Sequence, residues 1–199
     1  TFKLYKVTAG DNQFTNPDWA NWGLMVPYDA PYKDINLNGT YEPAIDIPGV
    51  IGATQTIFIC LTDADPTAHN VSEGFSGGTT PLGAEVHMTA WCYNVPPFQD
   101  MQFLKWIVIN KSIAVWDSTL LSIVSDPDLG DASDDFIGCD TLRNLAFCYN
   151  SDSADGNGSG STYGVNPPAV GIAFLNCSGS NAKLNSLSFF TNSGSPGPV

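Results

Sequence analysis

"AEVHMTAWCYN" (84–94) is a run of β-type residues set between the turn signals "PLG" before it and "VPP" after it. A period of two puts Glu85 and His87 on one face of such a strand, and His87 and Cys92 on opposite faces. Helical periodicity is nearly absent from the chain, and runs of the same kind recur on both sides: "TIFICLT" (56–62), "MQFLKWIVIN" (101–110), "VWDSTLLSIVS" (115–125), "LAFCYN" (145–150), "AVGIAFLN" (169–176) and "LNSLSFFT" (184–191). The few residues of "KSIA" between 101–110 and 115–125 predict a hairpin from that pair. Short strands at this spacing predict an all-β protein, an antiparallel β-sandwich or jelly roll. The expected layout is a single domain over 1–199, with a loop-rich part (1–55), a strand-rich core (56–191) and a linker-like tail (192–199). Trp106 and Trp116, flanking the expected hairpin, are read as core.

Long connections separate the strands, at 8–55, 63–83, 126–144 and 151–168, and connections of that length need internal organisation. "SEGFSGGTT" (72–80) lacks the Lys-Ser/Thr ending of a phosphate loop, so its glycines mean tight turns.

The charge is lopsided. Twenty acids face seven bases, for a net charge of −13, which argues against nucleic acid and anionic membranes as partners. Seventeen of the acids are Asp, a residue that competes with helix backbone and favours turns, so the acidity is concentrated in loops. No stretch has the ~20 uncharged apolar residues of a membrane span. The chain starts without a cleavable signal pattern and ends in "SGSPGPV", and is read as a piece of a longer secreted precursor. Its five cysteines show no CxxC zinc spacing. One or two disulfides with a leftover thiol is the expected state, and buried reduced thiols the alternative.

Two acidic loops have the makings of calcium cages. In "DINLNGTYEPAID" (34–46), Asp34, Asn36 and Asn38 alternate before Gly39, as at positions 1, 3, 5 and 6 of an EF-hand loop. The carbonyl of Thr40 and the carboxylate of Glu42 fall at the next ligand positions. Ile45 then stands where the bidentate Glu belongs, and Asp46 follows as the expected closing ligand. Pro43 and Pro48 forbid a long exiting helix, so the loop is expected to wrap a cation without flanking helices. The alternative is an ordinary Asx-rich turn.

"SDPDLGDASDDFIGCD" (125–140) crowds carboxylates with no base among them. Crowded carboxylates repel one another unless a cation intervenes. Asp126, Asp128, Asp131, Asp134 and Asp135 are therefore expected to hold Ca²⁺, a solvated acidic loop being the alternative.

Catalytic patterns are weak. His69 and His87 are the two histidines, and no HExxH helix or G-x-S-x-G elbow occurs. Trp19 and Trp22, in "NPDWANWGLMVPY", are candidates for stacking on sugar rings, or else anchors of their own loop.

Several stretches, "DINLNGTYEPAIDIPG", "LGAEVHMTAWCYN", "FLKWIVINKS", "WDSTLLSIVSDPDLGDASDDFIGCDTLRNLAFCYN" and "YGVNPPAVGIAFL", resemble in that order a region of large secreted proteins of Bacteroidota and related bacteria. Such proteins usually carry a C-terminal type IX secretion sorting domain. The resemblance covers most of residues 34–176 and implies an extracellular, β-rich address more than an activity. It also implies O-glycosylation at Asp-Ser/Thr sites, which nominates Ser118, Thr141 and Ser153. Asn-x-Ser/Thr sequons stand at Asn38, Asn70, Asn110, Asn157 and Asn176. Together these features predict an extracellular structural or adhesive module stabilised by calcium, such as the subunit of a surface fibre or layer, associating with itself or with other surface proteins and glycans. A carbohydrate-binding or glycan-hydrolysing module is the alternative.

Overall fold

A four-stranded antiparallel sheet in the order β1-β4-β5-β6 organises the N-terminal part of the chain. It is built from β1 (Tyr5–Thr8), β4 (Gln55–Thr62), β5 (Ala84–Cys92) and β6 (Gln102–Asn110). The computed structural model describes residues 3–69 and 79–176. The expected strand 184–191, the tail 192–199, Cys177, Asn70 and residues 72–78 lie outside the described residues. The chain divides into two compact units, residues 1–119 and 120–199, and the expected strand-rich span 56–191 runs across that division.

Between β1 and β4 lie a short helix, α1 (Pro17–Asn21), and a two-stranded ladder of β2 (Tyr32–Lys33) with β3 (Ile47–Pro48). Asn16 starts α1 by accepting from the Asp18 N–H, with Pro17 behind it to preset the backbone. The same Asn16 donates to the Lys6 carbonyl, and Asp18 accepts from the Lys6 N–H, so the cap also ties α1 to β1.

The register gives the sheet two different faces. Tyr5 pairs with Phe58, Val7 with Thr56 and Cys60 with His87, so these side chains share one face. That face is the core, where Tyr5, Val7, Trp22, Ala30, Tyr41 and Phe58 are buried, with Trp19, Met25, Val26, Tyr32 and Cys60 against them. The segment from α1 through β2 thus supplies the cover over the sheet. The opposite face carries Ile57, Ile59 and Leu61 of β4, Val86, Met88 and Ala90 of β5, and Leu104, Trp106 and Val108 of β6. All of these are apolar and none is fully buried. Trp106, expected in the core, is 40% exposed there, and Trp116 is half-buried.

The expected hairpin of 101–110 with 115–125 does not form. Strand β6 pairs with β5 instead, and 115–125 is irregular, with Val115, Leu120 and Leu121 exposed. The "KSIA" turn ends β6 rather than reversing it into a strand. Asn110 donates to the Ala114 carbonyl and accepts from Ser112, and Lys111 N–H donates to Gly83 O.

The second unit holds β7 (Asp135–Asp140), β8 (Leu145–Asn150), β9 (Ala154–Asp155), β10 (Gly164–Val165) and β11 (Ala169–Ala173). Its three-stranded sheet runs β11-β8-β7, and β9 pairs with β10. Residues 135–140, read from sequence as loop, are a strand. The turn after it is set by Asp140, which accepts from the Leu142 and Arg143 N–H groups and pairs with the Arg143 guanidinium. The described chain is therefore mostly antiparallel β with one short helix.

The four described cysteines, Cys60, Cys92, Cys139 and Cys148, are free thiols, not the expected disulfides. Register explains the second pair. Cys139 stands opposite Ala146 and Cys148 opposite Ile137, which makes them diagonal neighbours. Diagonal Cα atoms lie about 7–8 Å apart, beyond ordinary disulfide reach.

Candidate metal centre

Loop 34–46 spans the gap between β2 and β3, and its own side chains wind it. Asp34 accepts from the Asn38 N–H at 3.3 Å with one carboxylate oxygen and from the Gly39 N–H at 2.7 Å with the other. Asn36 Oδ1 accepts from the Asn38 N–H, and Asn38 Oδ1 accepts from the Thr40 N–H. These successive Asx turns draw Asp34, Asn36 and Asn38 round one centre. From the other side comes Glu42, whose Oε2 receives both the Asn36 and the Asn38 amides at 2.7 Å. One carboxylate oxygen is thus the meeting point of two ligand-type side chains. A hard cation placed there would be met by the Glu42 carboxylate in place of the two amide NH₂ groups.

Asp46 has a different position from the one expected. It is 1% exposed and spends both oxygens on backbone donors, Oδ1 on Ile35 N–H at 2.9 Å and Oδ2 on Glu42 N–H at 2.7 Å. It clamps the loop's two ends together from beneath. The phenol of Tyr41 is pushed well above its ordinary range by burial and then by the Asp46 charge, so it stays a neutral donor, to the Trp19 carbonyl at 2.6 Å. Asp46→Ala leaves two amide groups without their acceptor, each costing about 1–3 kcal/mol. The expected result is a loss of about 2–4 kcal/mol in urea unfolding, together with loss of calcium affinity in the loop.

The aspartates of 126–135, expected as one cage, are dealt out to separate tasks. Asp126 and Asp128 are exposed in irregular chain. Asp131 starts a short 3-10 turn by accepting from the Ser133 N–H and hydroxyl, which hold its carboxyl below the usual range. Asp135 accepts from the Leu129 N–H at 2.8 Å. Asp134 is half-buried, and its carboxyl is raised by burial and then by the charges of Asp131 and Asp155. Among the described residues no three His, Cys, Asp or Glu side chains are gathered so as to hold a metal.

Sequence reasoning missed Asp155, the most enclosed carboxylate of the second unit. It is fully buried and accepts from the Asp131 and Tyr163 N–H groups. It also missed Asn150, which lies directly opposite Asp135 in the β7–β8 ladder. The signal was a polar residue ending a strand, which in sequence is indistinguishable from turn punctuation.

The remaining candidates fall elsewhere. Trp22 is fully buried and its indole N–H donates to the Pro31 carbonyl at 2.9 Å, so it offers no ring face to a sugar. Trp19 is half-buried against the core and donates to Pro43 O. Ser118, Thr141 and Ser153 are all exposed. His87 is 5% exposed and contacts Glu85 Oε1 at 2.9 Å, with Lys111 on the same carboxylate. Its ladder partner is Cys60, a neighbour that sequence spacing did not reveal. Burial, and then the Glu85 charge, raise the Cys60 thiol, which opposes thiolate formation. No protein family, curated protein or solved structure matches the chain.

Proposed function

We propose that this chain is a calcium-stabilised structural or adhesive module of an extracellular protein, with loop 34–46 as its calcium site. The observation that carries the reading is the convergence of Asn36 and Asn38 on Glu42, round a turn wound on the Asp34 carboxylate. Asp34, Asn36, Asn38 and Glu42 with the Thr40 carbonyl supply the six-or-more oxygen chemistry that calcium prefers, and Asp46 holds the loop shut. Four of the five are side chains, two of them neutral, so the affinity expected is that of an extracellular site, about 10⁻⁴–10⁻³ M.

The N-terminal sheet supports the assembly part of the proposal. A sheet apolar on both faces needs cover on both, and one face has it in the segment from α1 through β2. The face bearing Ile59, Met88 and Trp106 fits the inner side of a sandwich, completed by more of the same polypeptide or by a neighbouring molecule. Strand β6 ends the sheet order and could add a further strand at its edge. The same proposal places the protein at the cell surface, as a fibre or layer component associating with its own kind.

Calcium at ten times its Kd stabilises by about 1.4 kcal/mol per site. A melting temperature several degrees higher in millimolar calcium than in excess EGTA is the expected outcome, and Asp34→Ala should erase the difference. Identical melting curves for the parent chain with and without calcium would remove the site. Filaments or ordered arrays in micrographs of the purified protein would support the assembly role.

A further inference from the structure

Residues 115–126 make no backbone hydrogen bond to any described residue, and the side chains of Val115, Leu120, Leu121 and Val124 are all more than half exposed. The stretch is β-type in composition and irregular in conformation. Within it Ser118 stands at φ 55°, a left-handed conformation unfavourable for a residue with a side chain. Its hydroxyl donates to Asp117 at 3.4 Å, which leaves its backbone groups unpaired among the described residues. Backbone donors and acceptors in this state, beside exposed apolar side chains, are a strand without a sheet.

Strand β6 has the complementary gap. It ends the sheet order, so the outer row of backbone groups along its nine residues has no partner strand among the described residues. Its own chain does not close that edge. The Lys111 N–H continues the ladder on the Gly83 carbonyl, and Ser112 packs on Gly83 so closely that a Cβ there would lie 2.9 Å from the Ser112 Cβ. The chain therefore leaves β6 on the β5 side, and the free edge stays open.

Charge selects the partner. Lys105 is the one charged residue of β6, and Asp117 is the one charged residue of 115–125. Both are exposed, and neither has an ion-pair partner among the described residues. Antiparallel pairing with Asp117 opposite Lys105 sets Val115 against Ile107 and Thr119 against Phe103 on one face, and Trp116 against Trp106 on the other. Opposite charges, aromatic pairs and β-branched residues beside aromatics are the combinations that stabilise antiparallel strands. Extension of the segment also releases Ser118 from its left-handed conformation.

We propose that residues 115–120 of one copy of this chain add to the β6 edge of a second copy, antiparallel and with Asp117 opposite Lys105. The inference rests on the assembly reading above and names the contact through which that assembly is made. The added strand pairs the open backbone row of β6 and extends the apolar face bearing Trp106 by the Trp116 ring. Passed on in one direction, the contact builds an open chain; exchanged reciprocally, it closes a dimer.

The test is sedimentation velocity of the whole chain over a concentration series, beside Lys105→Asp, Asp117→Lys and the double variant. Each single reversal sets like charges opposite one another and should weaken association about tenfold. The double variant restores an opposite pair and should associate as the parent does. All three should melt like the parent when dilute, because both side chains are exposed and unpaired. In the associated parent, alternate amides of 115–120 should gain hydrogen-exchange protection that they lack in the single chain. Single variants that associate like the parent, or 115–120 amides that stay unprotected in the associated parent, would overturn this contact and leave assembly to another surface. A parent that stays monomeric throughout would overturn the contact and the assembly reading together. A closed dimer that the single reversals dissociate would support the contact and count against the fibre.

Discussion

Gly130→Ala is expected to destabilise the second unit by about 3–5 kcal/mol. Gly130 has φ +78°, in the left-handed region, where an alanine pays about 1–2 kcal/mol. Space adds more. A Cβ built there lies 1.8 Å from Asp155 Oδ2 and 2.5 Å from its Cγ, and Asp155 is fully buried with no room to retreat. Moving it breaks its hydrogen bonds from the Asp131 and Tyr163 N–H groups and leaves a buried carboxylate unpaired. Gly160→Ala is the control in the same unit, since its φ is +68° but nothing lies within 4 Å of the added carbon. It should cost only the backbone strain, about 1–2 kcal/mol. Hydrogen exchange at β7 and β8, read for both variants, separates the two terms. Equal protection loss in the two would show that Asp155 does not pack against this turn.

Asp155 and Gly130 also mark where sequence reading reaches its limit. The strands at 55–62, 84–92, 102–110, 145–150 and 169–173 were legible because each is a short apolar run cut off by turn residues, and the punctuation survives folding. The run "VWDSTLLSIVS" has the same composition and is not a strand. β-propensity records fit to a half-buried pleated surface, and for this segment no such surface is present among the described residues. Strand β7 was hidden for the opposite reason. Its two ends are aspartates, which read as turn, and only the ladder to β8 reveals that Asp135 and Asp140 cap a strand.

The loop at 34–46 was legible because its chemistry is local. Asp34, Asn36, Asn38 and Gly39 act on amides at most five residues away, so their spacing carries the geometry. The aspartates of 126–135 were legible only as a crowd: contiguous in sequence, they take separate partners, Ser133 for Asp131 and the Leu129 N–H for Asp135. Asp46 shows a third case: its position closing the loop was foreseeable, while its burial beneath two backbone donors depended on the packing of Tyr41 above the core.

Trp22→Ala is expected to cost the first unit about 3–5 kcal/mol, the range for emptying a fully buried large aromatic site. The ring sits 6.4 Å from that of Phe58, at the centre of the core face. Its N–H shares the Pro31 carbonyl with the Gly49 N–H, which reaches it at 2.8 Å. Pro31 and Gly49 stand just outside β2 and β3, so that carbonyl joins the base of loop 34–46 to the core. Loss of the indole should therefore weaken calcium binding in the loop as well as lower the melting temperature. Trp22→Phe keeps most of the ring volume and leaves the Pro31 carbonyl one donor, so its cost should stay near 1–2 kcal/mol. Trp19→Ala, at a half-buried site, should fall between. A Trp22→Ala chain that melts like its parent and still loses binding to a glycan would return this tryptophan to the surface, and the core built round it would have to be abandoned. Loss of glycan binding accompanied by unfolding would carry no such meaning, because the ring's contacts are with Phe58 and Pro31 rather than with solvent.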